Sequence, residues 1–128
     1  MINYKIALIE DDEITSKVVS EELKDAGFNV IKAFDGRAGL ELIKAEMPDL
    51  VLLDVMMPKM QGFEVLEAAK KDLKTKDIPI IILTVLSDDE NVKKGMDMGA
   101  KDYIIKSKHA VAEIPKKIKE FLGEKPAA

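Results

Sequence analysis

The sequence predicts an α/β fold, a parallel sheet of five strands with five helices covering both of its faces. Strand-like and helix-like segments alternate along the chain, which is the pattern of parallel strands joined by crossover helices. The third and fourth strand segments contain the runs LVLL and IPIIIL, and nearly continuous apolar runs are typical of strands buried on both faces. At 128 residues, the chain has the length of one domain with its own core. The predicted strands are Lys5–Ile9, Phe28–Ala33, Leu50–Asp54, Ile78–Thr84 and Tyr103–Lys106.

Apolar residues at three- and four-residue spacing identify the helices. The first helix is expected to end at Gly27, and the second to have Asp35 as its N-cap. Ser87 and Glu90 have the spacing of a capping box at the start of the fourth helix. Pro115 lies within the fifth helical pattern, so that helix is expected to start late enough for the missing amide hydrogen to cost nothing. The side chains predicted to face the core are Ile14, Val18, Leu23, Ala38, Leu42, Ile43, Phe63, Leu66, Ala69, Val92, Met96, Ile114, Ile118 and Phe121.

Composition and charge exclude several classes of protein. The chain is 47% hydrophobic and 34% charged, and it contains no cysteine, so disulfides, zinc thiolates and thiol nucleophiles are excluded. A formal charge of −4 and a pI of about 5.1 argue against binding nucleic acid by neutralising its phosphates. We find no secretory signal and no apolar run long enough to span a membrane. We therefore expect a cytoplasmic protein without direct nucleic-acid or membrane partners.

Acidic, hydroxyl and lysine side chains follow the ends of four predicted strands. Glu10 and Asp11 follow the first strand, and Asp54 ends the third. Thr84 ends the fourth strand and Lys106 the fifth, and ligands of open parallel sheets bind beyond these carboxyl ends. Clustered carboxylates repel one another without a cation, and a set of oxygen ligands favours Mg²⁺, with Mn²⁺ as an alternative. The aspartate could then act as a nucleophile that forms an acyl phosphate, with the lysine and the hydroxyl binding phosphoryl oxygens.

Each of these residues alone has a simpler explanation. The acidic run EDDE, from Glu10 to Glu13, could serve only to cap a helix and stabilise its dipole. Asp54 could be a turn former, and Lys106 a solvated surface lysine. Four separate strand ends supply compatible chemistry, and this combination favours a phosphoryl-transfer site.

Four segments of the chain resemble the CheY-like receiver domain of two-component response regulators. IALIEDDE resembles the first strand and acidic pair of that family, and LVLLDVMMPKMQGFEVL resembles its phosphorylation segment. IPIIILT and GAKDYIIK resemble its fourth and fifth strands. The resemblance covers about residues 4–122 and implies the flavodoxin/CheY-like strand order 2-1-3-4-5. We expect a stand-alone receiver domain over residues 1–123, followed by a frayed tail over residues 124–128.

The resemblance implies a role for each matching residue. Asp54 would accept a phosphoryl group from a histidine kinase or a phosphotransfer protein, and Lys106 would pair with the phosphorylated aspartate. Thr84 would be the switch hydroxyl that moves toward the phosphoryl group. Tyr103 would be the switch aromatic whose rotamer reports the state, whereas Asp12 would begin the first helix instead of binding metal. The implied Mg²⁺ ligands are Glu10, Asp11, Asp54 and the backbone carbonyl of Met56.

Four residues depart from the usual receiver pattern or modulate it. Ser107 stands where the family usually has a proline, so we expect a trans Lys106–Ser107 bond, since a cis bond before a non-proline residue costs about 2.5–4 kcal/mol. Val85 stands where a small residue is usual and is expected to narrow access to the phosphorylation site. Met56 and Leu86 are apolar at positions that resemble gates on the hydrolytic water, so we predict slow self-dephosphorylation.

The sequence favours a switch over an enzyme with a diffusible substrate. Its output is expected through a downstream protein that docks on the face formed by the fourth helix, the fifth strand and the fifth helix. A haloacid-dehalogenase-type enzyme would need a second aspartate where Met56 stands, and EDDE would repel the phosphate of a flavin nucleotide. The remaining alternative is a receiver-like interaction module that works without phosphorylation.

Overall fold

The fold is a five-stranded parallel sheet with helices on both faces, as predicted. The structure, a computed structural model, describes residues 4–55, 62–85 and 89–122. The strand order is β2-β1-β3-β4-β5, and every neighbouring pair is parallel. The elements in chain order are β1 Lys5–Ile9, α1 Glu13–Asp25, β2 Asn29–Ala33, α2 Gly36–Glu46, β3 Leu50–Leu53, α3 Gly62–Lys71, β4 Ile80–Thr84, α4 Asp89–Asp97, β5 Asp102–Ile105 and α5 Lys108–Phe121.

Strand ends differ from the predicted ones by one or two residues. β4 begins at Ile80 instead of Ile78 because the Ile78 amide bonds back to the Thr75 carbonyl in a turn. Pro79 follows, and it has no amide hydrogen to donate to a ladder. β3 ends one residue early, which places Asp54 just beyond the strand.

The core consists of two layers, one on each face of the sheet. Alternate strand residues point to opposite faces, so each central strand contributes to both layers. One layer packs the strands against α2 and α3, and the other packs them against α1 and α5. All four residues of β3 and all five of β4 are buried, which explains the continuous apolar runs.

The predicted inward face of α1 is wrong for two of its three residues. Ile14 is 75% exposed and Val18 47% exposed, whereas Leu23 is buried. The helix instead buries Ser16, Val19, Ser20 and Leu23, a set at helical spacing that includes two serines. Small serine side chains let the helix approach the sheet closely. The spacing of apolar residues does not predict that these serines are buried.

Glycines that pack closely on the sheet also make the buried faces of α2 and α4 differ from the predicted ones. A Cβ at Gly39 in α2 would lie 2.7 Å from the Ile9 side chain, so the glycine packs on β1 while Ala38 is exposed. In α4 the only buried residue is Gly95, and Met96 is 42% exposed. Ile43 on α2 and the predicted face of α3 are buried as expected.

The helix ends agree with the predicted caps, with one exception. The Asp35 side chain accepts a hydrogen bond from the Ala38 amide at 2.8 Å, and Gly27 follows α1 with a φ of +96°. Ser87 lies outside the described residues. α5 begins at Lys108, so Pro115 lies inside the helix and the expected late start is wrong. Ile114 and Ile118 are buried on this helix, but Phe121 is 41% exposed.

Across the residues that the structure describes, no helix combines the length and apolar character needed to cross a membrane.

Candidate functional site

Four neighbouring strands bring the predicted site residues to one edge of the sheet. β1, β3, β4 and β5 are consecutive in the sheet, so the residues that follow them share its carboxyl edge. The Asp54 amide donates to the Ile9 carbonyl at 3.0 Å, and the Lys106 amide donates to the Thr84 carbonyl at 2.8 Å. These bonds extend the ladders by one residue and hold the backbone of Asp54 and Lys106 in place.

The carboxylates of Glu10, Asp11 and Asp54 form a cluster at this edge. One oxygen from each lies within 4.8 Å of the others. Glu10 is 1% exposed and Asp54 is 4% exposed, whereas Asp11 is exposed. Two buried carboxylates and one exposed carboxylate thus lie close enough together to hold a cation through oxygen ligands.

Lys106 joins this cluster through two ion pairs. Its Nζ lies 2.5 Å from Oε1 of Glu10 and 3.2 Å from Oδ2 of Asp54. Together with Asp11, the cluster therefore contains three carboxyl groups and one ammonium group. The sequence predicts the lysine at this edge, but not that Glu10 is one of its partners.

The protonation of Glu10 responds to this environment. Burial raises the pKa of its carboxyl to about 7 and the charge of Asp54 adds to the rise, while hydrogen bonds from Lys106 and the Asp12 amide oppose it. Burial by itself lowers the pKa of Lys106, but its contacts with Glu10 and Asp54 outweigh burial and the pKa is raised. A charged ammonium is therefore maintained beside a carboxyl that is costly to ionise without a further cation.

Thr84 ends β4, and Tyr103 lies on the neighbouring strand β5. Oγ1 of Thr84 is buried and has no hydrogen-bond partner among the described residues, which is unusual because buried hydroxyls are normally bonded. Tyr103 is half-buried and packs against the core layer on its side of the sheet. A Cβ at Gly95 would lie 3.3 Å from Cδ2 of Tyr103, so the ring lies beneath α4.

Asp12 caps the first helix and is not part of the carboxylate cluster. It is the N-cap of α1 and accepts hydrogen bonds from the amide of Thr15 at 2.9 Å and from its hydroxyl at 2.5 Å. These two bonds lower the pKa of the Asp12 carboxyl. The acidic run therefore divides, with Glu10 and Asp11 in the cluster and Asp12 on the helix.

Ser107, which stands where the family usually has a proline, caps the start of α5. Its side chain is the N-cap of α5 and accepts from the Ala110 amide at 3.1 Å. Within the described ranges there is no cis peptide bond, so the Lys106–Ser107 bond is trans as expected. A serine immediately before an apolar helical pattern is the signal that would have predicted the cap.

Two further features complete the site. Gly62, at the start of α3, lies so close to the backbone after β3 that a Cβ there would clash with the Asp54 carbonyl oxygen, which explains the glycine in the segment that resembles the phosphorylation segment. Val85 is 59% exposed beside the site. Met56 and Leu86 lie outside the described residues.

Comparison with known proteins identifies the family. The model of the response regulator receiver domain matches residues 6–119, and the chain belongs to that family, whose members are phosphorylation-dependent signalling switches of two-component systems. The DNA-binding dual master transcriptional regulator RpaA of Synechocystis is 41% identical over 102 residues, which are 80% of this chain but only 42% of RpaA. The chain therefore spans less than half of that relative.

Solved structures show the same fold. A CheY-like receiver domain protein from Methanospirillum hungatei is 30% identical, with a TM-score of 0.87 and 96% of each chain covered. The Mn²⁺-bound form of the response regulator Rcp1 is 28% identical, with a TM-score of 0.83 and coverage of 95% of this chain and 96% of Rcp1. The Rcp1 structure is thus one that holds a divalent metal.

Proposed function

We propose that the chain is a switch in which Asp54 accepts a phosphoryl group from a histidine kinase or a phosphotransfer protein. The observation that carries the proposal is the buried pairing of Lys106 with Glu10 and Asp54. Burying three charged groups together is a weak way to stabilise a fold, because the desolvation cost offsets the attraction between them. The same arrangement has a function if Asp54 carries a phosphoryl group, because the Lys106 ammonium then binds the phosphoryl oxygens.

The residues at this edge fit a divalent cation, which we propose to be Mg²⁺, with Mn²⁺ as the alternative. Glu10, Asp11 and Asp54 offer only oxygen atoms, the ligands that Mg²⁺ prefers. The exposed Asp11 gives the cation access from solvent, and the carbonyl of Met56 completes the proposed ligand set. A bound Mg²⁺ supplies charge neutralisation for the carboxylates and for the incoming phosphoryl oxygens.

In the proposed transfer step, an oxygen of Asp54 attacks the phosphorus of a phosphohistidine on the donor. The new P–O bond forms as the P–N bond breaks, and the departing imidazole nitrogen keeps the electron pair and takes a proton from solvent. Lys106 then pairs with the phosphoryl oxygens. The hydroxyl of Thr84, which has no hydrogen-bond partner among the described residues, donates to them once Thr84 moves toward the site.

The proposed output is a change in the face formed by α4, β5 and α5. A phosphoryl group adds about −1.5 to −2 charge at neutral pH, and its bond with Thr84 alters the space available to Tyr103. α4 buries only Gly95 among its described residues, so its attachment to the sheet is light and its displacement costs little. A downstream protein that binds this face would read the change.

We also propose slow self-dephosphorylation in the cytoplasm, where the phosphodonor would act. Met56 and Leu86 carry no group that could orient a hydrolytic water, and Val85 adds a branched side chain at the rim of the site. A phosphoryl lifetime of only seconds in the absence of a phosphatase would contradict this part of the proposal.

The direct test is intact mass after incubation with Mg²⁺ and acetyl phosphate. The wild-type chain should gain one phosphoryl group that hydroxylamine removes, whereas Asp54→Asn should gain none. Asp12→Asn is the matched control, because it makes the same chemical change at a carboxylate that caps α1, and it should be phosphorylated normally. An unmodified wild type, or a phosphorylated Asp54→Asn variant, would overturn the proposal.

A further inference from the structure

Lys106 lies in a two-residue connection between β5 and α5. β5 ends at Ile105 and α5 begins at Lys108, so Lys106 and Ser107 alone join the two elements. The Lys106 amide donates to the Thr84 carbonyl at 2.8 Å. This bond holds the strand side of the connection on β4.

Ser107 holds the helix side of the connection through two hydrogen bonds. Its side chain accepts from the Ala110 amide at 3.1 Å, and its carbonyl accepts from the Val111 amide at 2.9 Å. Both bonds go to the first turn of α5. That helix is held on the sheet by Ile114 and Ile118, which are fully buried. Ser107 thus ties the connection to an element that is packed in the core.

The backbone of Lys106 decides where its ammonium can reach. Its Nζ lies 3.2 Å from Oδ2 of Asp54 at the end of a long side chain with several rotatable bonds. The ion pairs with Glu10 and Asp54 hold the ammonium only while the backbone stays within reach of them. A misplacement of about 1 Å at a reacting site can cost a reaction about 100-fold, so the restraint on this backbone matters for the site.

We propose that Ser107 is a positioning residue, whose cap on α5 keeps the Lys106 ammonium where it binds the phosphoryl oxygens on Asp54. This inference rests on the proposed function. A proline, the usual residue of the family at this position, restrains the backbone through its ring. The serine of this chain restrains it through the side-chain bond to Ala110 instead.

The strength of a helix cap sets the size of the expected effect. A serine N-cap shifts the equilibrium between the capped and the uncapped helix end by a factor of about five. The apparent affinity for a ligand falls with the fraction of molecules in the binding-competent state. If the capped state is the one that holds Lys106 in place, loss of the cap weakens binding of a phosphoryl-like group by up to about fivefold.

The test is a titration of the Mg²⁺-loaded chain with beryllofluoride, a stand-in for the phosphoryl group on an aspartate, followed by amide chemical shifts. Ser107→Ala should raise the half-saturating concentration by about two- to fivefold. Ser107→Asn should return it to the wild-type value, because asparagine is an equally good N-cap. Neither substitution changes a charge, and Ser107 is exposed, so both variants should fold. A Ser107→Ala variant that binds like the wild type, or a Ser107→Asn variant that does not restore binding, would overturn the proposal.

Gly27→Ala is the matched control for a general loss of stability. Gly27 follows α1 with a φ of +96°, where alanine is strained, and a Cβ there would meet nothing within 4 Å. The substitution therefore lowers stability without a clash and without a change of charge. Gly27 precedes β2 and so lies at the amino edge of the sheet, opposite the site. An increase in the half-saturating concentration as large as that of Ser107→Ala would overturn the positioning role.

Hydrogen exchange at the Lys106 amide tests the restraint without any ligand. In the metal-free chain, Ser107→Ala should raise the exchange rate of this amide by about two- to fivefold over that of Gly27→Ala, and Ser107→Asn should not. A wild type that does not bind beryllofluoride would contradict the proposed function and this inference with it. A wild type that binds, with Ser107→Ala unchanged in binding and in exchange, would contradict this inference alone.

Discussion

Asp11 allows metal binding to be tested without disturbing the fold, because its side chain is exposed while the other two carboxylates of the cluster are buried. Asp11→Asn removes one negative charge and keeps the shape of the side chain. At a separation of about 4 Å in a water-like dielectric, one carboxylate and a divalent cation attract by about 2 kcal/mol. The substitution should therefore weaken Mg²⁺ binding by about 30-fold.

The assay is thermal unfolding with and without Mg²⁺. At a concentration ten times the wild-type Kd, the ion stabilises the folded state by about 1.4 kcal/mol. Dividing by an unfolding entropy of about 0.27 kcal/mol/K for 128 residues gives a rise in Tm of about 5 °C for the wild type. Asp11→Asn at the same Mg²⁺ concentration should gain less than about 1 °C.

Asp12→Asn is the control for this measurement. It makes the same change at the next residue, where the side chain caps α1, and asparagine caps helices about as well as aspartate. Its Tm should rise with Mg²⁺ by about as much as that of the wild type. An Asp11→Asn variant that keeps the full Mg²⁺ response, or an Asp12→Asn variant that loses it, would refute the assignment of the ligands.

Three other changes test different parts of the molecule. Ser107→Ala removes the N-cap of α5 and should cost about 1 kcal/mol in a urea titration, whereas Ser107→Asp should restore it; equal stability of the two would contradict the capping role. In the metal-free chain, the pKa of Glu10 is about 7 against 4.5 unfolded, so its protonated form favours the folded state. The protonated carboxyl therefore adds to the free energy of unfolding. This added stability is complete below pH 4.5 and is lost as the pH rises through 7, and the total loss is at most about 3 kcal/mol. The stability of Glu10→Gln should not fall over this pH range. Identical profiles of stability against pH for the wild type and Glu10→Gln would refute the assignment to Glu10. Gly95→Ala would place a Cβ 2.5 Å from Cδ1 of Ile82, the end of a flexible side chain that must shift. The strain and the better helix propensity of alanine oppose each other, so stability should change by less than about 1 kcal/mol while tyrosine fluorescence changes; an unchanged spectrum would show that α4 does not pack on Tyr103.

The sequence was sufficient for the sheet and for the position of the site. Alternating strand and helix patterns and apolar strand runs predict the parallel sheet, and the residues after four strands predict which side chains meet. These features depend on period and order along the chain, which a sequence displays directly.

Features that depend on close approach were not predictable in the same way. The inward face of α1 uses Ser16 and Ser20, and Gly39 and Gly95 bring α2 and α4 onto the sheet, so apolar spacing misjudged which residues are buried. The pairing of Lys106 with Glu10 depends on the distance between two strands that are far apart in the chain. Distances of this kind follow from packing and not from local pattern.

The central claim is that Asp54 is the residue that carries the phosphoryl group, and borohydride reduction tests it most directly. Borohydride converts an aspartyl phosphate to homoserine, and peptide sequencing by tandem mass spectrometry then locates the converted residue. After phosphorylation with acetyl phosphate and Mg²⁺, we predict homoserine at position 54 alone, and none when Mg²⁺ is omitted. Conversion at another carboxylate, or none in a chain that has gained phosphate, would contradict the account.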